Sequence, residues 1–441
     1  QSGAIRDTSG AGRDAAPCYK RRLEVAVRER ELRGKQGKVG TPVLKRLALL
    51  ALLIPIPALL AAGQAGLRPE IGGDDQHTRY VAFLSKEADY RIFSISDPYR
   101  IVVDLPEAGI QVPAGRRGLV LSSRSGLVAP GKSRIVIDLA EPALVERSAL
   151  LPPQNGLPAR LVIELVKATH KAFMAQSNAP PPPFAEKTRP QKEPGDKRPL
   201  IVIDPGHGGI DAGALGRVTG TPEKDVTLDF SKTLKEKLEK TGKYRVLATR
   251  SDDVFVPLDD RARMASESTA DFLISIHADA LDAKRLGIKS VQEVRGGTIY
   301  TLSETASDEQ ARILAMNENK ADLKAGVGNE RALAPAITAE INNILSDLES
   351  RGKQNRSLAL AHYLIEHMKE KMKFNIRPQR SANLRVLKAA GVPAILIELG
   401  YLSNSEDEKL LISPEWRAAT ASAFAAAVND FMSDRQDRIP L

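Results

Sequence analysis

Cysteine is almost absent from this sequence, and its scarcity limits the kind of fold that can form. The 441 residues include a single cysteine, Cys18, so no disulfide framework can stabilise the chain. A body without cysteine suits export to an oxidising compartment. Aromatic residues are also sparse, at 4%, but hydrophobic residues make up 42% of the chain, which is enough for globular folding.

Long apolar runs are scarce as well. The most apolar stretch, residues 47–60, is too short to span a bilayer comfortably and contains two prolines. Because Lys45 and Arg46 precede it and small residues follow it, we interpret 41–66 as a secretory signal peptide, which implies contact with a membrane only during export. The polar residues 1–40 show no periodicity, and we expect them to be a disordered or artefactual extension.

Acidic residues are outnumbered by basic ones. The chain carries 64 Lys and Arg against 55 Asp and Glu, a net charge of +9 that would suit an anionic partner such as nucleic acid, a membrane surface or an acidic polymer. Lysine and arginine are dense in 19–46 and 187–198, however, so basic tails and a basic linker explain the excess equally well. Charge alone therefore does not select a partner.

The first folded part of the sequence is predicted to be all-β. Short β-branched segments separated by Gly, Pro, Asp and Ser indicate a sandwich-like domain over 67–170. Its predicted strands are 80–84, 90–95, 100–105, 119–121, 133–139 and 159–165. The pattern Arg-Ile-Val-(Val/Ile)-Asp-Leu occurs at 100–105 and again at 134–139, which suggests internal pseudo-symmetry. Four consecutive prolines and mixed charged residues then predict a linker over 171–198.

The second folded part, residues 199–432, alternates strands with helices and is followed by a tail over 433–441. This alternation predicts an α/β domain with an open, mainly parallel sheet flanked by helices. The first strand begins at Ile201, and the others are 244–249, 272–277, 297–302 and 394–398. The predicted helices are 224–240, 258–267 and 415–432, with two more long helical stretches before the last strand.

Three of these strands end in residues capable of chemistry. The first leads into the glycine-rich loop that contains His207, another ends at His277, and the last ends at Glu398. Because ligands bind at the carboxyl ends of strands in open α/β sheets, these side chains should share one site. The other histidines of this part, His362 and His367, are five residues apart on one predicted helix, so they do not share a face as an i, i+4 pair of ligands would.

Two imidazoles and one carboxylate around an open position form the usual ligand set of a catalytic zinc. The carboxylates near the strand ends are Asp204, Asp211, Glu223, Asp225, Asp279 and Glu398, and their spacing leaves the choice of the third ligand open. Glu223 lies where a loop meets a helix and can point back at the strand ends, whereas Asp204 and Asp279 could accept the second imidazole N–H. Glu398 suits a general base because burial raises a carboxyl pKa; a strand-end ion pair is the alternative.

The order of these motifs resembles the zinc-dependent N-acetylmuramoyl-L-alanine amidases, which cleave the amide between muramic acid and the first alanine of the peptidoglycan stem. The segments that carry the resemblance are Asp204-Pro-Gly-His-Gly-Gly, Glu223-Lys, Ser275-Ile-His-Ala-Asp and Ile397-Glu-Leu-Gly-Tyr-Leu-Ser-Asn. The resemblance implies three zinc ligands, His207, Glu223 and His277. It also implies Glu398 as the catalytic carboxylate. The family loop usually has a second Pro-Gly after its aspartate, where this chain has Asp211-Ala-Gly.

The β-domain and one segment of the α/β domain resemble parts of Gram-negative cell-division amidases. Residues 70–170 are similar to their AMIN-like targeting domain, which implies peptidoglycan binding, a septal position in the periplasm and no nucleic-acid partner. The insert 304–352 is similar to a helical plug over the zinc, and Glu318 matches the glutamate that fills the open metal position. This implies autoinhibition and a protein activator with a degenerate zinc-endopeptidase domain. A peripheral helical pair with a solvated Glu318 is the alternative.

Further alternatives concern the insert's apolar positions and the activity itself. An apolar stripe in the insert could bind the activator or simply pack on the sheet; it consists of Ile337, Ile341, Ile344, Leu345 and Leu348. The chain could also be a non-catalytic cell-wall-binding protein that retains the fold, or a zinc hydrolase acting on another amide. The presence of all three candidate ligands disfavours the first of these two functions, and the targeting domain disfavours the second.

Overall fold

A computed structural model describes residues 68–177, 196–327 and 344–436. The predicted extension 1–40, the signal peptide 41–66, most of the linker and the apolar positions Ile337 and Ile341 lie outside the described residues. Within the described residues, the helices lack the combination of length and apolarity that a membrane span requires.

The β-domain consists of two antiparallel sheets, as predicted. Its strands are β1 (Glu70–Gly73), β2 (His77–Leu84), β3 (Arg91–Ile95), β4 (Arg100–Pro106), β5 (Ile110–Gln111), β6 (Val120–Ala129), β7 (Lys132–Leu139), β8 (Ala143–Leu151) and β9 (Ala159–Lys167). One sheet has the order β1-β2-β9-β8 with β5 paired to β2, and the other has the order β3-β4-β7-β6. The inner faces of both sheets share one apolar core, which includes Tyr80, Ile101 and Ile135.

The repeated hexapeptide forms two neighbouring strands of the four-stranded sheet. Strands β4 and β7 pair in antiparallel register, so Arg100 lies opposite Asp138 and Asp104 lies opposite Arg134. Arg134 is fully buried and binds Asp104 through two hydrogen bonds of 2.6 and 2.9 Å. Because the two strands are antiparallel, the arginine of each repeat lies opposite the aspartate of the other, and two cross-strand ion pairs form.

The β-domain extends past residue 170, where the sequence predicted its end, and contains more strands than predicted. Helix α1 (His170–Gln176) overlaps the start of the predicted linker 171–198, and Phe173 anchors it in the core of the domain. The predicted strand 119–121 is the start of the ten-residue β6, and β1 and β8 were not predicted. Strands β6 and β8 each contain a central run of polar and small residues, Ser-Ser-Arg-Ser-Gly and Glu-Arg-Ser-Ala, so they lack the dense β-branched signal of the other strands.

The α/β domain is built on a six-stranded, mainly parallel sheet, as predicted. Its strands are β10 (Leu200–Pro205), β11 (Arg245–Ala248), β12 (Phe272–His277), β13 (Gly297–Leu302), β14 (Phe374–Ala382) and β15 (Ala394–Glu398). The order is β11-β10-β12-β15-β13-β14, and every pair is parallel except β13 with β15. Strand β14 was not predicted because Pro378 interrupts its pattern; proline is tolerated here because β14 is an edge strand.

Helices cover both faces of this sheet. They are α2 (Glu223–Lys240), α3 (Leu258–Glu267), α4 (Ala283–Leu286), α5 (Glu309–Glu318), α6 (Ala321–Lys324), α7 (Ile344–Met368), α8 (Ser405–Ile412) and α9 (Pro414–Gln436), with short 3₁₀ turns at Val291–Glu293 and Arg385–Leu387. Successive residues of β10 point to opposite faces: Ile201 packs with α2, α7 and α9, whereas Val202 packs with α3 and α5. Both faces are buried, which leaves the ends of the strands as the place for a site.

Candidate metal centre

Two histidines meet where the central strands end. Strand β12 lies between β10 and β15, and its last residue, His277, is in register with Glu398. His207 follows the end of β10 in the left-handed region, with φ of 60°. Gly206 allows the rings to approach, because a Cβ at that position would lie 2.4 Å from the His277 ring. The ends of β10, β12 and β15 therefore lie together, as predicted.

Glu223 completes a group of three buried potential ligands with His207 and His277, whose ligand atoms all lie within 4.8 Å of one another. Oε2 of Glu223 is 3.0 Å from Nε2 of His207, and Oε1 is 3.2 Å from Nδ1 of His277. Glu223 is the first residue of α2, and the backbone N–H groups of Ala214 and Ala278 donate to its carboxylate at 2.9 and 2.8 Å. The loop-to-helix position thus aims this carboxylate at both rings.

The donor set fits zinc. Nε2 of His207 is buried and has no hydrogen-bond partner, although the Glu223 carboxylate is 3.0 Å away. On the other side of the same ring, Nδ1 lies 2.8 Å from Oδ2 of Asp211, which orients the imidazole. Two imidazole nitrogens and one carboxylate match the protein ligands of catalytic zinc sites.

The charges of the group also suit a divalent cation. Burial would lower the pKa of His207, but the Glu223 and Asp211 carboxylates raise it well above 6.5. Burial raises the pKa of Asp279 to about 7, and the Glu318 and Glu223 carboxylates add to that effect. The site therefore concentrates negative charge away from water, and the protein's own groups must take up protons to offset it.

Glu398 lies beside the group with one free oxygen. Its Oε2 accepts a hydrogen bond of 2.8 Å from the backbone N–H of Asp279, whereas Oε1 is buried and has no hydrogen-bond partner. Burial, with the nearby Asp279 and Glu223 carboxylates, raises the pKa of Glu398 well above its ordinary value. A carboxylate with a raised pKa and an unoccupied oxygen is equipped to accept a proton.

Two predicted supporting roles need correction. The carboxylate that binds the second ring nitrogen of His207 is Asp211, and neither Asp204 nor Asp279 does so. Asp204 lies on β10 and accepts hydrogen bonds from Thr249, Ser275 and Arg261.

Asp225, another carboxylate considered from the sequence, is exposed on α2, and His362 and His367 are exposed on α7. None of the three belongs to the site, which agrees with the prediction that the two helical histidines are ordinary helix residues.

Two buried arginines that the sequence did not reveal hold the His207 loop. Arg261 donates to the backbone carbonyls of Pro205 and His207 at 2.7 Å each. Arg250 donates to the carbonyls of Pro205 and Gly206 at 3.0 and 2.9 Å. Both reach the loop from elements far along the chain, so only the periodicity of α3, which places Arg261 on its buried face, could have signalled one of them.

A fourth carboxylate reaches the group from the insert. Glu318, the last residue of α5, is only 4% exposed, and its Oε2 lies 3.3 Å from Nδ1 of His277 and 3.6 Å from Nε2 of His207. The following residues are anchored: Asn319 donates to the carbonyl of Asn383 at 2.8 Å, and Asp322 accepts from the N–H of Leu258 at 3.0 Å. Glu318 is therefore buried at the centre and is not solvated.

Comparison with known proteins gives consistent matches. The family described as N-acetylmuramoyl-L-alanine amidase matches residues 201–430. The amidase AmiC of Neisseria meningitidis serogroup B is 31% identical over 383 residues, which cover 81% of this chain and 87% of AmiC. AmiC of Escherichia coli O6:H1 is 28% identical over 379 residues with the same coverage of both chains, and AmiA of Escherichia coli K12 is 35% identical over 238 residues, or 54% of this chain and 77% of AmiA.

Proposed function

Since this chain belongs to the N-acetylmuramoyl-L-alanine amidase family and acts on peptidoglycan, we propose that its activity depends on one zinc ion. The ligands are His207, Glu223 and His277, and Glu398 is the catalytic carboxylate. The observation that carries this proposal is the buried convergence of the three ligands within 4.8 Å, with Nε2 of His207 left without a hydrogen-bond partner.

The protein's own residues have separable tasks in the reaction. Zinc, when bound, would supply a Lewis acid that polarises the amide carbonyl and activates water. Glu398 takes a proton from the attacking water at its free Oε1 and delivers it to the alanine nitrogen as the C–N bond breaks. Asp211 keeps Nδ1 of His207 protonated, which leaves Nε2 free to act as a ligand.

Glu318 keeps this enzyme inactive until a partner moves the insert. The closeness of its carboxylate to both histidines supports this role, because a group held there would compete with a substrate oxygen or water. A protein activator, with a degenerate zinc-endopeptidase domain by resemblance, would withdraw the insert 304–352. The apolar positions suggested for its binding lie in 328–343 or have side chains outside the described residues.

The remaining parts of the chain place the enzyme. We assign the β-domain to peptidoglycan targeting at the septum, on its resemblance to AMIN-like domains, and the segment 41–66 to export into the periplasm. The similarity to AmiC proteins over 81% of the chain supports a periplasmic enzyme, because it extends beyond the α/β domain.

Digestion of purified cell-wall sacculi tests the proposal. The zinc-loaded chain should release stem peptides, and Glu398→Gln should lose a factor of roughly 10²–10⁴ in rate while it keeps its zinc. Asp225→Asn is the matched control, because this carboxylate is exposed and outside the site. A chain that binds sacculi and zinc but releases no stem peptide, even with 304–352 deleted, would be the non-catalytic wall-binding protein instead. Release of disaccharides would indicate a glycosidase.

A further inference from the structure

The four-stranded sheet of the β-domain turns its outer face toward the metal centre. This docking face consists of Val102, Arg124, Leu127, Val128, Arg134 and Val136. The carbonyl of Leu127 accepts hydrogen bonds from the backbone N–H groups of Ile210, at 3.1 Å, and Phe255, at 3.4 Å. Ile210 lies between His207 and Asp211, so the docking face contacts the loop that supplies one ligand and orients it.

The same face binds the end of the insert. Nη1 of Arg134 donates to the carbonyls of Ala325 and Gly326 at 3.3 and 3.1 Å, and Nε of Arg124 donates to the carbonyl of Lys324. These carbonyls belong to the last residue of the short helix α6 and to the two residues after it, where a helix end leaves backbone acceptors without partners. Cationic donors are favourable at that end, so the β-domain caps the segment that follows Glu318.

Close packing supports these hydrogen bonds. Gly326 has φ of 67°, and a Cβ there would lie 3.0 Å from Val136 and 3.1 Å from Val102. Ala325 is completely buried in an apolar cluster with both valines. The contact therefore depends on a backbone that approaches the sheet without a side chain between them.

Arg134 is already oriented for this contact within the β-domain. The Asp104 carboxylate binds its Nε and Nη2, which leaves Nη1 directed at the insert. An arginine fixed in this way loses little conformational freedom when it donates to the carbonyls. Its role is one of positioning, since it contacts neither the proposed metal ligands nor the scissile bond.

We propose that the docking face is an interaction surface for the enzyme's own insert, and that Arg134 holds the insert in the position that places Glu318 at the metal centre. Separation of the β-domain would release the end of the insert and expose Val102 and Val136, which are now completely buried. The docked insert covers the docking face, so a wall polymer cannot bind that face until the insert leaves it. The consequence for activity rests on the proposed function.

Hydrogen–deuterium exchange of the full-length, metal-free chain tests the contact directly. Arg134→Gln removes the two hydrogen bonds to the insert together with the ion pair to Asp104, and exchange in peptides covering 309–327 should rise roughly ten- to hundredfold. The control is Arg79→Gln, which removes an ion pair with Glu164 on the other sheet of the β-domain.

A second variant reaches the contact from the insert and leaves the β-domain unchanged. Asparagine tolerates the left-handed region, so Gly326→Asn is compatible with the backbone conformation but adds a Cβ against Val136. Its control is Gly287→Asn, because Gly287 has φ of 65° and nothing within 4 Å of a Cβ. We expect several-fold faster exchange over 309–327 in Gly326→Asn alone.

Exchange and activity together separate the two proposals. Unchanged exchange over 309–327 in Gly326→Asn, or in Arg134→Gln with a protected β-domain, would overturn the docking proposal whatever the activity. Faster exchange with faster digestion of sacculi by the zinc-loaded variants would support both proposals. Faster exchange without any gain in digestion would support docking and reject inhibition by Glu318.

Discussion

Arg261 offers the sharpest test of how the His207 loop is built. The guanidinium is buried, with 2% of the residue exposed, and donates to the Asp204 carboxylate at 2.8 Å. It also donates to the carbonyls of Pro205 and His207 at 2.7 Å each, and to that of Val256 at 2.8 Å. These bonds hold His207 in the left-handed region, which a residue with a side chain adopts only at a cost of about 1–3 kcal/mol.

Arg261→Met should lower the free energy of unfolding by about 3–5 kcal/mol, because it retains an apolar stem but leaves a buried carboxylate without its charged partner. Burial would raise the pKa of Asp204, and Arg261 is the main influence that holds it below its ordinary value. A lowered carboxyl pKa contributes stability that is present above about pH 4 and is lost on acidification below it. The variant's deficit should therefore be larger at pH 7 than well below pH 4.

The single tryptophan, Trp416, makes the measurement specific to the α/β domain. Urea unfolding of the metal-free protein, followed by its fluorescence, gives the loss, and zinc affinity should fall roughly 10- to 100-fold because the ligand loop relaxes. Arg263→Met on the same helix is the control: its partners Asp260 and Glu267 are at the surface, so it should cost under about 1 kcal/mol. Equal losses in both variants would refute the reasoning, whereas Asp204→Asn should restore part of the Arg261→Met loss.

Three further predictions concern carboxylates of the centre. Glu318→Ala should accelerate release of stem peptides without loss of zinc, as followed by chromatography of digested sacculi; a rate equal to that of the parent would reject inhibition by this residue. Asp211→Asn should weaken zinc binding roughly 10- to 100-fold in competition with a chelator, because Nδ1 of His207 loses its negatively charged partner, and unchanged affinity would contradict that role. The raised pKa of Asp279, about 7, should make metal-free stability fall between about pH 4 and pH 7 and then level off. Asp279→Asn should remove up to about 4 kcal/mol of this fall in unfolding experiments, and a parallel pH profile would exclude Asp279 as its source.

The centre was predictable because strand ends and glycines are local signals. The glycine-rich loop after β10, the histidine that ends β12 and the glutamate that ends β15 can each be identified within a few residues of sequence. Parallel topology then brings the three ends to one edge. Glu223 required the resemblance as well, because spacing alone did not distinguish it from five other carboxylates.

The supporting residues were not predictable in the same way. Asp204 and Asp211 both lie near His207 in sequence, and only the direction of each side chain decides which one reaches the ring. Arg250 and Arg261 act on the loop from residues more than forty positions away, and such contacts leave no local pattern.

The Arg134–Asp104 pair shows why a buried ion pair need not be explained by stability. A buried ion pair often contributes little compared with apolar residues of similar volume, because both charges lose their hydration. Asp104 alone leaves Nη1 of Arg134 without a partner, and the carbonyls of Ala325 and Gly326 supply one. If the two domains separate, Nη1 of Arg134 must therefore bind water or remain without a hydrogen-bond partner. The pair adds little to the β-domain alone, but it gives the docked state a directional preference that valines could not provide.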